Sequence, residues 1–269
     1  MSNINNNHES IEAGERTVLT INGVEYPFRW CPPGTFMMGS PPEEQDRMER
    51  EKQHQVTLTR GFWLLETLVT QDMWEKMMGN NPSCYEGSKK LPVEEVSWDD
   101  CQEYIDKLND LGIAPEGYCF SLPTEAQWEY ACRAGTTTPF HFGDTLNGDK
   151  ANCNGNYPYG TSTKGQYLRK TSEVGSYPAN VWELYDMHGN VYEWCSDWYG
   201  DYPNGAVTDP TGASSGSSRV IRGGGWDFSA MGCRSAFRSD YDPSIRRNRL
   251  GIRLALVLNQ AKADVVPHD

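Results

Sequence analysis

The chain has 269 residues, and its 24 Lys and Arg against 37 Asp and Glu give a formal net charge of −13. Because neutralising phosphates needs a basic surface, this acidic balance excludes a general nucleic-acid binder. The content of 12% aromatic and 37% hydrophobic residues is high enough for a folded protein and excludes a disordered one. The length fits one large domain or two smaller ones.

No stretch of the chain approaches the roughly 20 apolar residues needed to cross a bilayer, so no membrane span is expected. The polar N-terminus, residues 1–8, has neither the basic nor the apolar segment of a signal peptide, which predicts a cytoplasmic protein. The eight cysteines form no CxxC pair and no zinc-finger spacing. In a reducing compartment most of them are expected to be small buried hydrophobes.

The first elements predicted along the chain are short strands, which follow a disordered tail at residues 1–16. β-branched and aromatic runs flank Asn22-Gly23, a dipeptide that favours a two-residue hairpin turn. Further runs of this kind predict strands up to Glu66. Between them the charged run Glu43–Lys52 is mixed in sign and is expected to be a solvated loop.

Helix start signals mark three segments. Thr70 precedes the first, which is predicted over Gln71–Met78 and ends at Gly79. The second and third begin with capping boxes at Ser97–Asp100 and Thr124–Gln127, in which a hydroxyl and an acid or amide satisfy free backbone amides reciprocally.

After the third helix the chain is Gly-rich and loop-dominated to about residue 218. So long an irregular stretch in a compact domain is usually functional or held by specific contacts. No repeat and no linker divides the chain, so a single domain is predicted over residues 17–258. Residues 259–269 are expected to form a C-terminal tail.

Seven motifs follow one another in a fixed order, and they carry a family resemblance. They are Pro33-Gly-Thr-Phe-Met-Met-Gly39, Leu91-Pro-Val-Glu-Glu-Val-Ser-Trp98, Leu122-Pro-Thr-Glu-Ala-Gln-Trp-Glu-Tyr130, Leu184-Tyr-Asp-Met-His-Gly-Asn-Val-Tyr-Glu-Trp194, Arg222-Gly-Gly-Gly-Trp226, Cys233-Arg-Ser-Ala-Phe-Arg238 and Leu250-Gly-Ile-Arg253. Together they resemble the formylglycine-generating-enzyme, or sulfatase-modifying factor, domain over roughly residues 28–257. The resemblance implies an α+β, C-type-lectin-like fold with short strands, a few helices and much irregular structure.

The resembled family contains several functions, so the fold does not settle the activity. Its members include copper-dependent oxidases that convert a sulfatase cysteine to formylglycine, and iron-dependent sulfoxide synthases. They also include ligand-binding variable proteins that are diversified by retroelements. The iron enzymes need two histidines and a third ligand on a helix-spaced motif. None of the five histidines of this chain has that spacing, which argues against the iron chemistry.

The copper oxidases of the family use two cysteines five positions apart, shortly after an Arg-Gly-Gly-Ser motif, because paired thiolates suit Cu(I). Counting that offset from Gly223-Gly224 puts Phe228 at the first position and Cys233 at the second. If the positions are instead counted backwards from Arg234–Arg238, the insert is shorter and Cys233 no longer matches the second cysteine of the oxidases. One thiolate does not make the two-sulfur site, so copper is expected only under the oxidase alternative. In that case Cys233 is the catalytic candidate and a distant cysteine completes the metal site.

The resemblance also implies a structural calcium site. Hard cations bind several carboxylate and backbone carbonyl oxygens on a tight loop. In the family this segment holds calcium through the positions that match Asp186 and Glu193 and through the carbonyls at Gly189 and Val191. The alternative is that Glu193 pairs with a core arginine.

The positions between the last motifs predict a recognition surface over about residues 227–249. They mix acids, bases, an aromatic and small polar groups, as recognition surfaces do, whereas a fixed catalytic site shows a few convergent titratable groups. The thirteen positions are Asp227, Phe228, Ser229, Met231, Ser239, Asp240, Tyr241, Asp242, Ser244, Ile245, Arg246, Asn248 and Arg249. This pattern resembles the variable region of the retroelement-diversified proteins, in which fixed scaffold residues alternate with changeable ones.

The leading hypothesis is therefore a monomeric binding protein that presents this C-terminal surface to a protein or other ligand. The alternative is a copper-dependent formylglycine-generating oxidase that acts on a sulfatase cysteine. Residues 219–253 contain eight arginines and three aspartates, 8 − 3 = +5, against a total of −13. This division predicts an arginine-rich face on an acidic scaffold. Four of the eight, Arg222, Arg234, Arg238 and Arg253, fall in family motifs and are expected to be buried and paired with acids.

Overall fold

The computed structural model describes residues 11–259, which contain three α-helices and twelve β-strands. The helices are α1 (Gln71–Met78), α2 (Trp98–Asp110) and α3 (Glu125–Arg133). The strands are β1 (Arg16–Ile21), β2 (Val24–Cys31), β3 (Gly34–Met38), β4 (His54–Leu58), β5 (Phe62–Leu65), β6 (Tyr118–Ser121), β7 (Tyr192–Trp198), β8 (Val207–Thr208), β9 (Arg219–Arg222), β10 (Ser239–Tyr241), β11 (Leu250–Gly251) and β12 (Ala255–Leu258). Short 3₁₀ turns lie at Glu49–Glu51 and Ala230–Cys233.

The strands form three small sheets. The five-stranded sheet has the order β1-β2-β5-β12-β6 and is antiparallel throughout, so the last strand lies between strands from the first half of the chain. The four-stranded sheet has the order β10-β9-β7-β11 and the three-stranded sheet the order β3-β4-β8. Short strands, few helices and long connections confirm the predicted α+β class. Within residues 11–259 no helix is long and apolar enough to span a bilayer.

The hairpin predicted at Asn22-Gly23 joins β1 and β2. Asn22 has φ +50° and Gly23 has φ +79°, and the two strands pair from Ile21↔Val24 outwards. Two consecutive positive φ angles match the right-handed twist of the flanking strands, which is why Asn-Gly is favoured in such turns.

The three predicted helices are present with their predicted caps. The side chains of Thr70, Ser97 and Thr124 each accept a hydrogen bond from the backbone amide three residues on. In the second and third boxes the side chains of Asp100 and Gln127 accept the reciprocal bond from the cap amides. Each helix therefore begins at the residue that follows its cap.

The core forms where α1 and α2 pack beside the five-stranded sheet and α3 packs beside β7 and β9. The first cluster includes Phe28, Trp74, Tyr104, Trp194 and Leu256, all at most 4% exposed. A second cluster surrounds the indole of α3. Six of the eight cysteines are buried and all eight are free, as predicted for small hydrophobes.

The long irregular segment between α3 and β7 contains only isolated bridges, and tight backbone packing holds it together. Gly155 donates to the Gln166 carbonyl and accepts from the Gly165 amide. A Cβ at Gly155 would lie 2.3 Å from the carbonyl oxygens of both Asn147 and Gln166, so only glycine fits there.

The predicted domain ends can be compared with the described residues only in part. Residues 1–10 and 260–269 lie outside the described residues. Within the predicted N-terminal tail, the Gly14 amide donates to the Trp30 carbonyl at 2.9 Å and β1 already begins at Arg16. At the other end, Asn259 donates to the Gly117 carbonyl.

Candidate recognition surface

Four fully buried arginines fix the scaffold beneath the C-terminal loops. Each carries the ion pairs that the sequence pattern predicted, and the exposed fraction of each is 2% or less. Arg222 pairs with Glu129, Arg234 with Glu44 and Glu51, Arg238 with Glu125, and Arg253 with Glu193. A bidentate guanidinium satisfies both carboxylate oxygens, which makes burial of both charges tolerable.

One of these pairs corrects part of the expectation that Glu43–Lys52 is a solvated loop, because five of the ten residues are exposed but Glu51 is not. Glu51 is fully buried, and its two carboxylate oxygens accept from Arg234 at 2.8 and 2.9 Å. The Glu44 carboxylate joins the same guanidinium at 2.5 Å. Within the charged run, Glu44 and Glu51 therefore turn inward to one guanidinium. The sequence alone did not reveal this pairing because Arg234 lies far along the chain, where local charge patterning gives no signal.

The predicted arginine-rich face is also corrected, since the arginines outside the buried set are mostly engaged. Arg219 lies between the rings of Trp98 and Trp198 at 3.8 and 3.5 Å. Arg246 forms a bidentate pair with Asp100, and Arg249 pairs with Asp227. Six of the eight arginines of the segment thus pair with acidic side chains, whereas Arg247 is exposed and, within residues 11–259, its side chain donates only to the Arg246 carbonyl. Most of the predicted positive face is therefore neutralised.

The thirteen predicted recognition positions lie on the loops around β10, between β9 and β11. None of them is fully buried. Three are exposed and ten are partly buried; the exposed ones are Asp242, Ser244 and Arg246. The neighbouring scaffold positions Trp226, Cys233, Arg234 and Gly251 are buried. The thirteen positions thus remain accessible while these scaffold residues do not.

Four apolar members hold these loops against the main core. Phe228, Met231, Tyr241 and Ile245 pack on it while each stays partly exposed. The remaining members are polar or charged, and part of their bonding capacity is used locally. Asp242 accepts from the Ser244 hydroxyl at 2.6 Å, and the Arg249 guanidinium donates to the Tyr241 hydroxyl at 3.2 Å.

Two atoms of the Asp227–Arg249 pair stay unsatisfied. Asp227 Oδ1 and Arg249 Nε are buried and have no hydrogen-bond partner, although the other atoms of the two groups form the ion pair. Burial is the largest single influence on the pKa of Arg249 and lowers it. The hydrogen bonds to Tyr241 and Asp227 together outweigh burial, so the pKa of Arg249 is raised overall. The pair is therefore only partly satisfied, which costs stability at this position.

Two tyrosine rings extend this surface, and both were missed by sequence reasoning. The Tyr85 ring meets the Trp226 indole edge-on at 5.4 Å between centroids, and the Tyr167 ring stacks on it at 6.4 Å. Arg169 in turn lies 5.5 Å over Tyr167. These residues come from three distant loops, so no local pattern could have grouped them. Together with the thirteen positions, Tyr85 and Tyr167 are called the recognition surface below, and Trp226 is the buried scaffold ring on which the two tyrosines pack.

A buried carboxyl lies directly beneath this aromatic cluster. Glu94 is 0% exposed, its Oε1 accepts from the Tyr85 amide at 2.7 Å, and its Oε2 has no partner. Burial raises the pKa of Glu94 to about 7, against the amide of Tyr85 that lowers it. The loop that carries Tyr85 is therefore attached to a carboxyl that titrates near neutrality.

The copper position predicted from the family offset holds no second sulfur. The Phe228 ring occupies the first cysteine position and packs 5.8 Å from the rings of both Tyr192 and Phe237. A distant cysteine does neighbour Cys233: the Cys153 thiol and burial raise the pKa of Cys233 well above its usual value. Both thiols are buried, at 1% and 0% exposed. Two sulfurs could hold Cu(I), but from a position closed to a peptide substrate.

The four predicted calcium ligands lie together, with an arginine on one of them. Asp186 is 6% exposed, and its Oδ2 accepts from the Gly175 amide at 2.7 Å. Burial is the largest cause that raises the pKa of Asp186 to about 6, and the charge of Glu193 adds to it. Gly189 and Val191 are buried in the turn between them.

Glu193 accepts from Arg253 on both oxygens at 2.9 Å, and from the Trp128 indole at 2.8 Å. The guanidinium therefore stands where a cation would neutralise this carboxylate. The donor set fits the ion pair that the sequence left as the alternative better than it fits a calcium cage. Calcium at these four residues stays a prediction.

Comparison with known proteins gives one family and several relatives. The family model described as "Sulfatase-modifying factor enzyme 1-like domain" matches residues 28–258. The formylglycine-generating enzyme of Streptomyces coelicolor is 35% identical over 179 residues, which cover 63% of this chain and 54% of that enzyme. The formylglycine-generating enzyme of Mus musculus is 32% identical over 211 residues, which cover 75% and 53%. The chain thus spans about half the length of these curated relatives.

Among solved structures, Treponema denticola variable protein 1 superposes with a TM-score of 0.78 at 29% identity, covering 89% of this chain and 98% of that one. PvdO from Pseudomonas aeruginosa superposes with a TM-score of 0.75 at 28% identity, and the match covers 93% of this chain and 100% of PvdO. These likenesses confirm the C-type-lectin-like α+β fold that the motif order implied.

Proposed function

The chain belongs to the family of sulfatase-modifying factor enzyme 1-like domains, and within that family we propose that it is a binding protein whose recognition surface contacts a partner protein. One observation carries the proposal. All thirteen positions stay at least partly exposed, while the motif residues 233–238 and 250–253 are buried. Such an arrangement lets the contact residues change without altering the fold.

The chemistry of the surface favours a protein partner. Trp, Tyr and Arg are the side chains that most often carry binding energy in protein interfaces. Tyr85, Tyr167 and Trp226 form one ring cluster, and Arg249 lies on the same loops with a free Nε–H.

The likeness over 98% of Treponema denticola variable protein 1 supports the further step that the thirteen positions are the ones that vary. The test is a comparison of this gene among closely related strains, with attention to a neighbouring reverse-transcriptase gene and a near-copy of the segment that encodes residues 220–255. We expect replacements to concentrate at the thirteen positions and to spare Trp226, Cys233, Arg234 and Gly251. Replacements spread evenly over residues 28–258 would contradict the proposal.

The proximity of Cys153 to Cys233 favours one second candidate, a copper-dependent formylglycine-generating oxidase. Copper would supply the oxidation of a substrate cysteine by oxygen, and this chain would contribute the two buried thiols. The assay is incubation of the copper-loaded protein with a Cys-x-Pro-x-Arg peptide and mass spectrometry for the aldehyde. Turnover that is lost in both Cys153→Ser and Cys233→Ser, but kept in the exposed control Cys84→Ser, would establish the oxidase and contradict the binding proposal.

A further inference from the structure

A cavity of about 410 Å³ lies away from the recognition surface, between the end of β7, the loop at residues 200–213 and the start of α3. None of the thirteen recognition positions lines it. Its volume falls in the range of small-molecule sites, roughly 300–1,000 Å³. The proposed protein-binding function does not use this space, here called the Asp197 pocket.

One wall of the Asp197 pocket is a neutral, fully bonded ion pair. Glu125 accepts from Arg238 at 2.8 and 2.7 Å and from the Tyr202 hydroxyl at 3.0 Å. The guanidinium of Arg238 also donates to the Gly200 carbonyl and lies 4.0 Å over the Tyr202 ring. The charges of Glu125 and Arg238 therefore compensate each other, and their hydrogen bonds fix both side chains in place.

Asp197 is the unsatisfied group of the pocket. Its side chain is buried, with 3% exposed, and its Oδ2 accepts from the Glu125 amide at 2.9 Å and from the Ser196 hydroxyl at 3.1 Å. Its Oδ1 accepts no hydrogen bond from any residue in the range 11–259. This oxygen faces Gly212, where an added Cβ would come within 3.0 Å of it. Half of a buried carboxylate thus points at a wall that has no side chain.

His54 supplies a second acceptor to the same space. Its ring is 5% exposed and lies 4.6 Å from the Tyr202 ring. Nδ1 is 3.0 Å from the Lys52 carbonyl, and because a carbonyl only accepts, Nδ1 carries the proton. Nε2 is then an acceptor, and no residue of the described part of the chain donates to it.

The charge of the lining favours a cation. Glu125, Asp197 and Asp201 face a single arginine, Arg238, so the ionised lining carries 1 − 3 = −2. Residues 11–259 hold no cluster of three or more His, Cys, Asp or Glu side chains arranged for a metal ion, which leaves an organic cation. We propose that the Asp197 pocket binds a small molecule with a primary ammonium group, which donates to Asp197 Oδ1 and His54 Nε2.

The protonation state of Asp197 gives this binding a pH dependence. Burial and the nearby charge of Glu125 raise the pKa of Asp197 to about 7, while Arg238 lowers it. The other ionisable groups that line the pocket are His54, Asp201 and Tyr202. An ammonium group needs the ionised carboxylate, so affinity rises as the pH increases from 6 to 8, and bound amine lowers the pKa of Asp197.

The test is calorimetric titration of the full chain with 1,4-diaminobutane and n-butylamine, and with 1-butanol as the neutral control. We expect both amines to bind and the alcohol to bind at least tenfold more weakly. Asp197→Asn should weaken amine binding at least tenfold without lowering the melting midpoint. Asp149→Asn, an exposed aspartate that does not line the pocket, is the matched control and should change binding by less than threefold.

A measurement on the wild-type protein covers the case in which Asp197→Asn does not fold. Carbon-13 NMR of the aspartate carboxyl groups should show one buried carboxyl that titrates near pH 7 and moves to lower pH when butylamine is added. Absence of amine binding at 10 mM overturns the proposal. Equal binding of 1-butanol, or amine binding that leaves that carboxyl unmoved, overturns it as well.

Discussion

Two regions of the segment 219–253 use arginine in opposite ways. In the scaffold, Arg222, Arg234, Arg238 and Arg253 are buried and each is held by one or two glutamates. On the recognition surface, Arg246 and Arg249 pair with aspartates while 53% and 29% of their side chains stay exposed. Residue type and sequence position alone therefore do not distinguish structure from recognition here; burial does.

The energetic consequence is that the buried arginines cannot be replaced without a large loss of stability, whereas the surface residues can. Removing one partner of a buried ion pair leaves an uncompensated charge in a low-dielectric interior. An exposed pair contributes little, because water and salt screen it. A family that keeps this scaffold can therefore serve different functions through its loops.

The largest expected effect is in the buried set. Replacing Arg253→Met leaves the Glu193 carboxylate with only the Trp128 indole as donor, so we expect a loss of about 3–5 kcal/mol in the free energy of unfolding. Urea denaturation measures it. The double variant Arg253→Met with Glu193→Gln removes the stranded charge and should recover part of the loss. A loss below about 1 kcal/mol in the single variant would contradict the contrast between the two regions.

An intermediate effect is expected where a buried carboxyl has no arginine of its own. Glu125 is held by Arg238: burial opposes its ionisation, but Arg238 and Arg222 lower its pKa overall. Asp197 lies beside it without a guanidinium, and its pKa is raised from 3.8 to about 7. Folding then favours protonated Asp197. Its contribution to stability is full below pH 4 and is lost as the pH rises to 7, by on the order of a few kcal/mol.

Urea denaturation from pH 4 to pH 8 checks this dependence. Asp197→Asn cannot ionise, so it should flatten that part of the profile and make the variant relatively more stable at pH 8. Asp201→Asn, an exposed neighbour, should leave the profile unchanged. If the free energy of unfolding of Asp197→Asn changes with pH in the same way as that of the wild type, groups other than Asp197 cause the pH dependence and the prediction is wrong.

A small effect is expected on the recognition surface. Arg246→Ala breaks the pair with Asp100, in which both side chains are partly exposed, and should lower the free energy of unfolding by no more than about 1 kcal/mol. The same denaturation series measures it. A loss comparable with that of Arg253→Met would mean that the surface loops are part of the scaffold.

The smallest expected effect concerns calcium. Because Arg253 already neutralises Glu193, we expect millimolar calcium to raise the melting midpoint of metal-stripped protein by no more than about 1 °C. A rise of several degrees that disappears in Asp186→Asn would instead establish the predicted site at Asp186, Gly189, Val191 and Glu193.

Local features of the fold were readable from the sequence because their causes are local. The turn at Asn22-Gly23 and the caps at Thr70, Ser97 and Thr124 depend on neighbours within three residues. Motif order supplied the α+β class through resemblance. The partner of Arg234 could not be predicted, because Glu51 lies 183 positions away.

The recognition surface was predicted only in its contiguous part. The interleaving of motif and non-motif residues indicated the thirteen positions. Tyr85 and Tyr167 reach Trp226 from loops that only the tertiary fold brings together. The proximity of Cys153 to Cys233 is of the same kind, since no spacing in the chain relates the two.

Whether residues 227–249 form a replaceable surface on a fixed scaffold is tested most directly by a saturation scan of residues 219–253, read out as resistance of the displayed protein to proteolysis. We predict tolerance of most substitutions at the polar members of the thirteen positions, and loss of the fold at Arg222, Arg234, Arg238 and Arg253. Equal intolerance across the segment would contradict the division into surface and scaffold.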